Sequence, residues 1–167
     1  MSYKNSSQLE ETLDEGYGAG GKAIVVEVAT DNKHRTFPEV KHAFSKAGGA
    51  MAEPGSVLFQ FERRGIITVG KVGDADDLLL QILDAGADDA SVEDDEVLVF
   101  TDMKTMHAVR KNLLDQSIVV KNAELGYVPT ATVPVVDQDT EEKLFRLLDA
   151  LDDLDDVTNV YNNADIA

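Results

Sequence analysis

The sequence predicts an α+β, two-layer protein built from two βαββαβ units, one inserted within the other. Three observations carry this expectation. From residue 22 onward, segments of strand period and helix period alternate in the order βαββαβ, twice over. Glycine and proline mark the two places where the chain would pass between units, near Gly65 and between Gly126 and Pro129. The chain has 167 residues and no cysteine, and a chain of that size buries roughly 70% of its unfolded surface without needing a disulfide. Such a unit is the ferredoxin-like split βαβ, an antiparallel sheet with both helices on one face. A tandem order, with units meeting at Asp94 to Glu96, fits the same pattern but leaves almost no linker. Nesting lets Asp94-Asp95 be an ordinary hairpin turn and is favoured. The expected divisions are a polar leader and glycine turn over 1–21, a discontinuous ferredoxin-like domain of 22–64 with 130–167, and an inserted one of 65–129.

Lys22 to Thr30 (KAIVVEVAT) is β-branched and apolar enough for a buried strand. Thr36 then opens a helix as N-cap, with Glu39 completing a capping box and Pro38 in the first turn. Val40, Ala43, Phe44 and Ala47 form its core stripe, and Gly48 stops it. Strands are expected over 56–62 and 66–71, joined tightly at Arg63-Arg64-Gly65. A helix from Ala75 to Ala85 buries Leu78, Leu79, Ile82 and Leu83. Residues 90–93 and 96–101 read as a hairpin, and 103–114 as a helix with Met106, Val109, Leu113 and Leu114 inward. Strands over 118–125 and 130–136 precede a last helix capped by Asp139, with Leu144, Leu147, Leu148 and Leu151 facing in. Residues 157–161 form the final strand.

Charge is distributed unevenly. The chain carries fifteen Lys and Arg against thirty-two Asp and Glu, a formal net charge of −17. Between Lys22 and Lys71, however, eight basic residues face five acidic ones. An acidic body repels a polyanion, so nucleic-acid binding has to be local to this segment or supplied from outside the chain. No apolar run approaches the roughly 20 residues of a membrane span, and the start has no apolar signal core, so a soluble cytoplasmic protein is expected. Lacking cysteine, the chain has no thiolate metal site and no thiol nucleophile.

The stretch from Glu15 to Gly49 resembles the YebC/PmpR family. Its pattern EGYGxGG, then TDN, RT and HAFSKxGG, is long and specific, and FERRG beyond it fits as well. The ending LLDALDDLDDVTNVYNNADI is also similar, so the resemblance runs from about Glu15 to Ile166. It implies the nested arrangement and a non-enzymatic role in gene expression. Members are usually described as DNA-binding transcriptional regulators. Others, among them mitochondrial translational activators of cytochrome oxidase, are implicated as ribosome-associated factors. The family's usual amino-terminal basic helical domain has no counterpart in this sequence, so that domain is expected to aid binding where it is present. Ala19 stands where the family commonly has proline.

Lys33, His34, Arg35, Lys41, His42 and Lys46 lie on one loop and the helix it opens, and are the expected phosphate contacts, with Arg63 and Arg64 joining them if the domain crossing is near. The plainer alternative is a solvated basic face balancing nearby acids. Gly16, Gly18 and Gly21 spell G-x-G-x-x-G, but a polar leader precedes them and a strand follows, the reverse of a dinucleotide fingerprint. With Gly20 they are expected to form a structural turn, Tyr17 anchoring it. The strands show no exposed aromatic pair of the kind that stacks RNA bases. The acidic clusters Asp88-Asp89, Asp94-Asp95-Glu96, Asp152-Asp153 and Asp155-Asp156 lack EF-hand spacing, and the three histidines lack metal-ligand spacing. Neither a metal, a cofactor nor a catalytic residue is therefore expected. The alternative function is a small-molecule-binding regulatory module built on paired ferredoxin-like domains.

Overall fold

A computed structural model describes residues 9–165 of the chain. It is a mixed α+β structure with two four-stranded sheets, a two-stranded ladder and four α-helices. The chain forms two compact units. The first takes the residues up to Glu62 and those from Val128 onward, and the second is Arg63–Tyr127.

The first unit opens with β1 (Glu10–Gly18), which pairs along its whole length with β2 (Lys22–Thr30) in an antiparallel hairpin running from Glu10↔Thr30 to Gly18↔Lys22. The expected leader is thereby corrected over residues 10–18; residues 1–8 lie outside those described. EETLDEGYG has no apolar alternation, and its strand is imposed by the ladder that β2 offers. A 3₁₀ turn, Ala19–Gly21, closes the hairpin, and Gly20 and Gly21 both sit at φ 74°, where a Cβ is unfavourable. Gly16 and Gly18 are corrected from turn to strand residues. Lys22, 5% exposed, donates from Nζ to the Gly20 carbonyl at 3.2 Å and so belongs to the turn, not to a basic surface.

The helix α1 (Lys33–Lys46), the short β3 (Ala50–Met51), α4 (Gln138–Asp152) and β9 (Val157–Asn162) complete this unit. Its sheet order is β3-β1-β2-β9. Ile24, Val26 and Val28 of β2 pack with Val40 and Phe44 of α1 and with Leu144, Leu147 and Leu151 of α4. Ala23 and Val25 are fully buried too, so both faces of β2 are covered, which explains its near-continuous apolar run. Of the strand expected over 56–62 only Phe61 and Glu62 are strand, and 56–60 is a turn and a 3₁₀ segment, Leu58–Gln60. The one expected over 130–136 reduces to β8 (Val133–Pro134), paired in parallel with β10 (Ala164–Asp165) outside the main sheet. Neither takes the place a βαββαβ order would give it, because β1 already occupies the free side of β2.

The second unit contains β4 (Phe61–Gly70, entering from the first unit), α2 (Ala75–Asp84), β5 (Asp89–Val92), β6 (Glu96–Thr101), α3 (Met106–Asp115) and β7 (Val120–Pro129). Its order is β5-β6-β4-β7, over a core of Ile67, Val69, Leu78, Ile82, Val97, Val99, Val109 and Leu113. The expected turn at Arg63-Arg64-Gly65 is absent, because β4 runs straight through it. Gly65 marks a close approach instead: a Cβ there would overlap Thr101 Oγ1 and lie 2.8 Å from Met106 Cβ.

Candidate nucleic-acid interface

The first turn of α1 determines where its cations point. Asn32 caps the helix, its side chain accepting from His34 N–H at 3.1 Å, so α1 starts four residues before the expected Thr36. Thr36 is buried inside the helix, and Pro38 sits in its second turn, leaving the His34 carbonyl without its usual N–H donor. Because residues advance about 100° per position, the buried arc is Thr36, Val40, Ala43, Phe44 and Ala47. Two exposed flanks remain. Lys33, His34 and Lys41 share one with Phe37, whereas Arg35, His42 and Lys46 share the other with Glu39.

Not all of these cations are available to a ligand. Arg35 Nη2 bonds Asp156 Oδ2 at 2.7 Å and Asp31 Oδ1 at 3.1 Å. The same Asp156 oxygen accepts from Thr36 Oγ1 at 2.6 Å and Thr30 Oγ1 at 3.0 Å. These bonds, that of Thr36 first and that of Arg35 next, hold the Asp156 carboxyl below the usual carboxylate range. Hydrogen bonding to Asp156 in turn raises Arg35. The cluster ties β2, the start of α1 and the α4–β9 turn together, and Arg35 is part of that anchor. Lys33 faces Glu10 at 3.6 Å, but both side chains are about 60% exposed, and such a pair contributes little. Lys41 and Lys46 make no ion pair among the described residues. Arg63 and Arg64 lie on β4 in the second unit, not on α1: the Arg63 guanidinium stands 4.6 Å from the Tyr127 ring centroid, and Arg64 Nη1 bonds Asp88 at 2.8 Å.

The Asp156 anchor has a pH signature. Its folded-state carboxyl titrates below its unfolded value, so its contribution is complete above about pH 4 and fades as pH falls through the folded value. Asp156→Ala is expected to lose roughly 1–3 kcal/mol of stability at neutral pH. The gap between wild type and variant should narrow in acid, as followed by urea unfolding over a pH series.

Three residues escaped sequence reasoning. Asp156 looked like one more solvated acid, since its partners lie far away in sequence. Glu15, inside the glycine motif, is 4% exposed and accepts three backbone N–H bonds, from Gly55 at 2.7 Å, Val57 at 3.0 Å and Leu58 at 2.7 Å. Phe37 continues the core stripe by spacing yet is 49% exposed. Tyr17 accepts from Gln60 Nε2 at 3.2 Å, close to the same loop.

Among the described residues no group of three or more metal-ligating side chains converges, and no helix is long and apolar enough to cross a membrane. Comparison with known proteins places the fold and the sequence together. The chain is 41% identical over 167 residues to a probable transcriptional regulatory protein of Symbiobacterium thermophilum, covering 98% of this chain and 68% of that one. It is 43% identical to another of Dehalococcoides mccartyi, covering 97% of this chain and 66% of the relative. It therefore spans about two thirds of the length of these relatives, whose names are those of regulators rather than of enzymes. A crystal structure of the conserved hypothetical protein Aq1575 from Aquifex aeolicus superimposes with a TM-score of 0.92 at 36% identity, over 96% of this chain and 66% of that one. A family profile described as the second and third domain of TACO1/YebC matches residues 9–164. The chain belongs to the TACO1/YebC family, and the part it represents is the second and third domains.

Proposed function

We propose that this chain serves a non-enzymatic regulator of gene expression by contacting nucleic acid, DNA or ribosomal RNA, through the exposed cations of α1, in the cytoplasm. The observation that carries the proposal is the placement of Lys33, Lys41 and Lys46, with His34 and His42, on solvent-facing flanks of one helix in a protein of net charge −17. The relatives' names support regulation. Arg35 is left out of the contact set because it anchors the fold, and Arg63 and Arg64 are secondary because they stand on another unit. We take the two units as two domains, the second inserted in the first. A ferredoxin-like frame for the second is supported by its order β5-β6-β4-β7, the interleaved order of a βαββαβ split βαβ unit.

Contact of this kind is electrostatic. Each phosphate neutralised releases counterions, so affinity falls with salt by a log–log slope of about −0.7 per contact on a single strand. The Lys33/Lys41/Lys46→Ala variant should lower both the affinity and the slope, the latter by roughly 2, because three contacts are removed. The check is fluorescence anisotropy on single-stranded and duplex oligonucleotides across a salt series, with circular dichroism confirming that melting is unchanged.

A further inference from the structure

Phe37 is exposed for a physical reason. Helix spacing places it on the core stripe, but β3 pairs with β1 only at Gly16 and Tyr17, so at Thr12 and Asp14 β1 is the sheet edge and offers these polar side chains. The ring therefore overhangs the sheet edge between two cavities of about 350 and 440 Å³. Phe37 and Asp14 line both; Lys33 and His34 line the first, and Lys41 the second. Each volume lies in the range of roughly 300–1,000 Å³ usual for small-ligand sites. The Asp14 carboxylate is half-buried and makes no hydrogen bond or ion pair among the described residues. Burial, and then the neighbouring charge of Glu15, raise its pKa, as expected for an acid without a donor.

An aromatic face, an unpartnered carboxylate and two flanking ammonium groups demand a ligand with a flat ring, paired N–H donors and anionic groups on either side. We propose that the cleft between β1 and α1 binds an unpaired guanine of a single-stranded nucleic acid. The base stacks on Phe37, its N1–H and N2–H donate to the two oxygens of Asp14, and the phosphates on either side meet Lys33 and Lys41. Guanine fits best among the bases, because only its Watson–Crick edge carries two adjacent donors matching a carboxylate, whereas adenine and cytosine offer one amino group beside an acceptor. The phosphate takes over Lys33 from Glu10, an exposed partner that gives it up at small cost. A cationic peptide would satisfy Asp14 but would meet the ammonium groups of Lys33 and Lys41.

This inference rests on nucleic-acid contact at α1 and is tested separately from it. The probes are a fluorescein-labelled uridine hexamer, the same hexamer with one central guanosine, and its inosine analogue, which lacks the N2 amine. The full chain should prefer the guanosine oligomer over the uridine one by about tenfold, with inosine intermediate. Asp14→Asn should abolish the preference while keeping salt-dependent binding to all three. Phe37→Ala should weaken the guanosine oligomer by about tenfold, and Phe37→Trp should restore it. Equal binding of guanosine and uridine oligomers by wild type, or a guanosine preference that survives Asp14→Asn, overturns the guanine site but leaves the electrostatic contact standing. Absence of salt-sensitive binding to any oligomer overturns both.

Discussion

Replacing Glu15 with Ala is expected to destabilise the first unit by about 3–5 kcal/mol. Three backbone N–H groups of the 55–58 segment end on its two carboxylate oxygens, at 2.7 to 3.0 Å. Val57, one of the donors, is fully buried. With Ala at position 15 all three donors lose their acceptor, Val57 where water cannot replace it and Gly55 and Leu58 nearer the surface, and each unsatisfied buried group costs about 1–3 kcal/mol. Glu15→Gln should recover part of the loss, since its amide oxygen still accepts while its NH₂ faces donors. Urea unfolding measures the total, and hydrogen exchange at Val57 and Leu58 locates it. A loss below about 1 kcal/mol, with those amides still protected, would show that the segment holds its shape without the carboxylate.

Gly49→Ala is the second large effect, about 2–4 kcal/mol by the overpacking range and its backbone setting. A Cβ at position 49 would overlap the Tyr17 carbonyl oxygen and sit 3.2 Å from Gly18 Cα. Both obstacles are backbone of β1, so no side-chain rotation relieves them. The strain falls on the β1–β3 ladder, Gly16↔Met51 and Tyr17↔Ala50, and on the Ala52 N–H bond to the Glu15 carbonyl at 2.9 Å. Faster exchange at Ala52 with a lowered melting temperature is the expected result; an unchanged melting temperature would mean that the junction is looser than its geometry.

Both variants act where the chain was least legible from its sequence. β1 is acid-rich and without period, and its ladder with β2 makes it a strand, so local pattern carried no sign of it. The segment over 56–62 has strand composition, yet a buried carboxylate some forty residues away in sequence bends it into a turn. The Thr36–Glu39 capping box is well spelled, but Asn32 caps the helix because Asp156, 120 residues further on, draws Thr36 into the core. Helices fared better: the inward stripe of α1 and most of those of α2, α3 and α4 followed from spacing, since burial on one face is a local property of an amphipathic sequence. Leu83 and Leu114, expected to face in, are instead 51% and 45% exposed at the margins of their stripes. The hairpin at Asp94-Asp95 followed from its turn residues for the same reason.

The candidate interface divides along the same line. That Lys41, His42 and Lys46 face solvent follows from helix period. That Arg35 is diverted into an anchor follows only from tertiary contact with Asp156. Phe37 gave no local sign of exposure, because its spacing continues the core stripe while the edge of the sheet leaves it in the open. The exposed aromatic sought on the strands stands on the helix instead.

The most direct measurement is the salt dependence of oligonucleotide binding by the wild-type chain and by the Lys33/Lys41/Lys46→Ala variant, side by side. Contact through α1 predicts weaker binding and a log–log slope shallower by roughly 2 in the variant, at equal thermal stability. Identical slopes and affinities for the two proteins would contradict it and return the basic flanks of α1 to the role of a solvated surface.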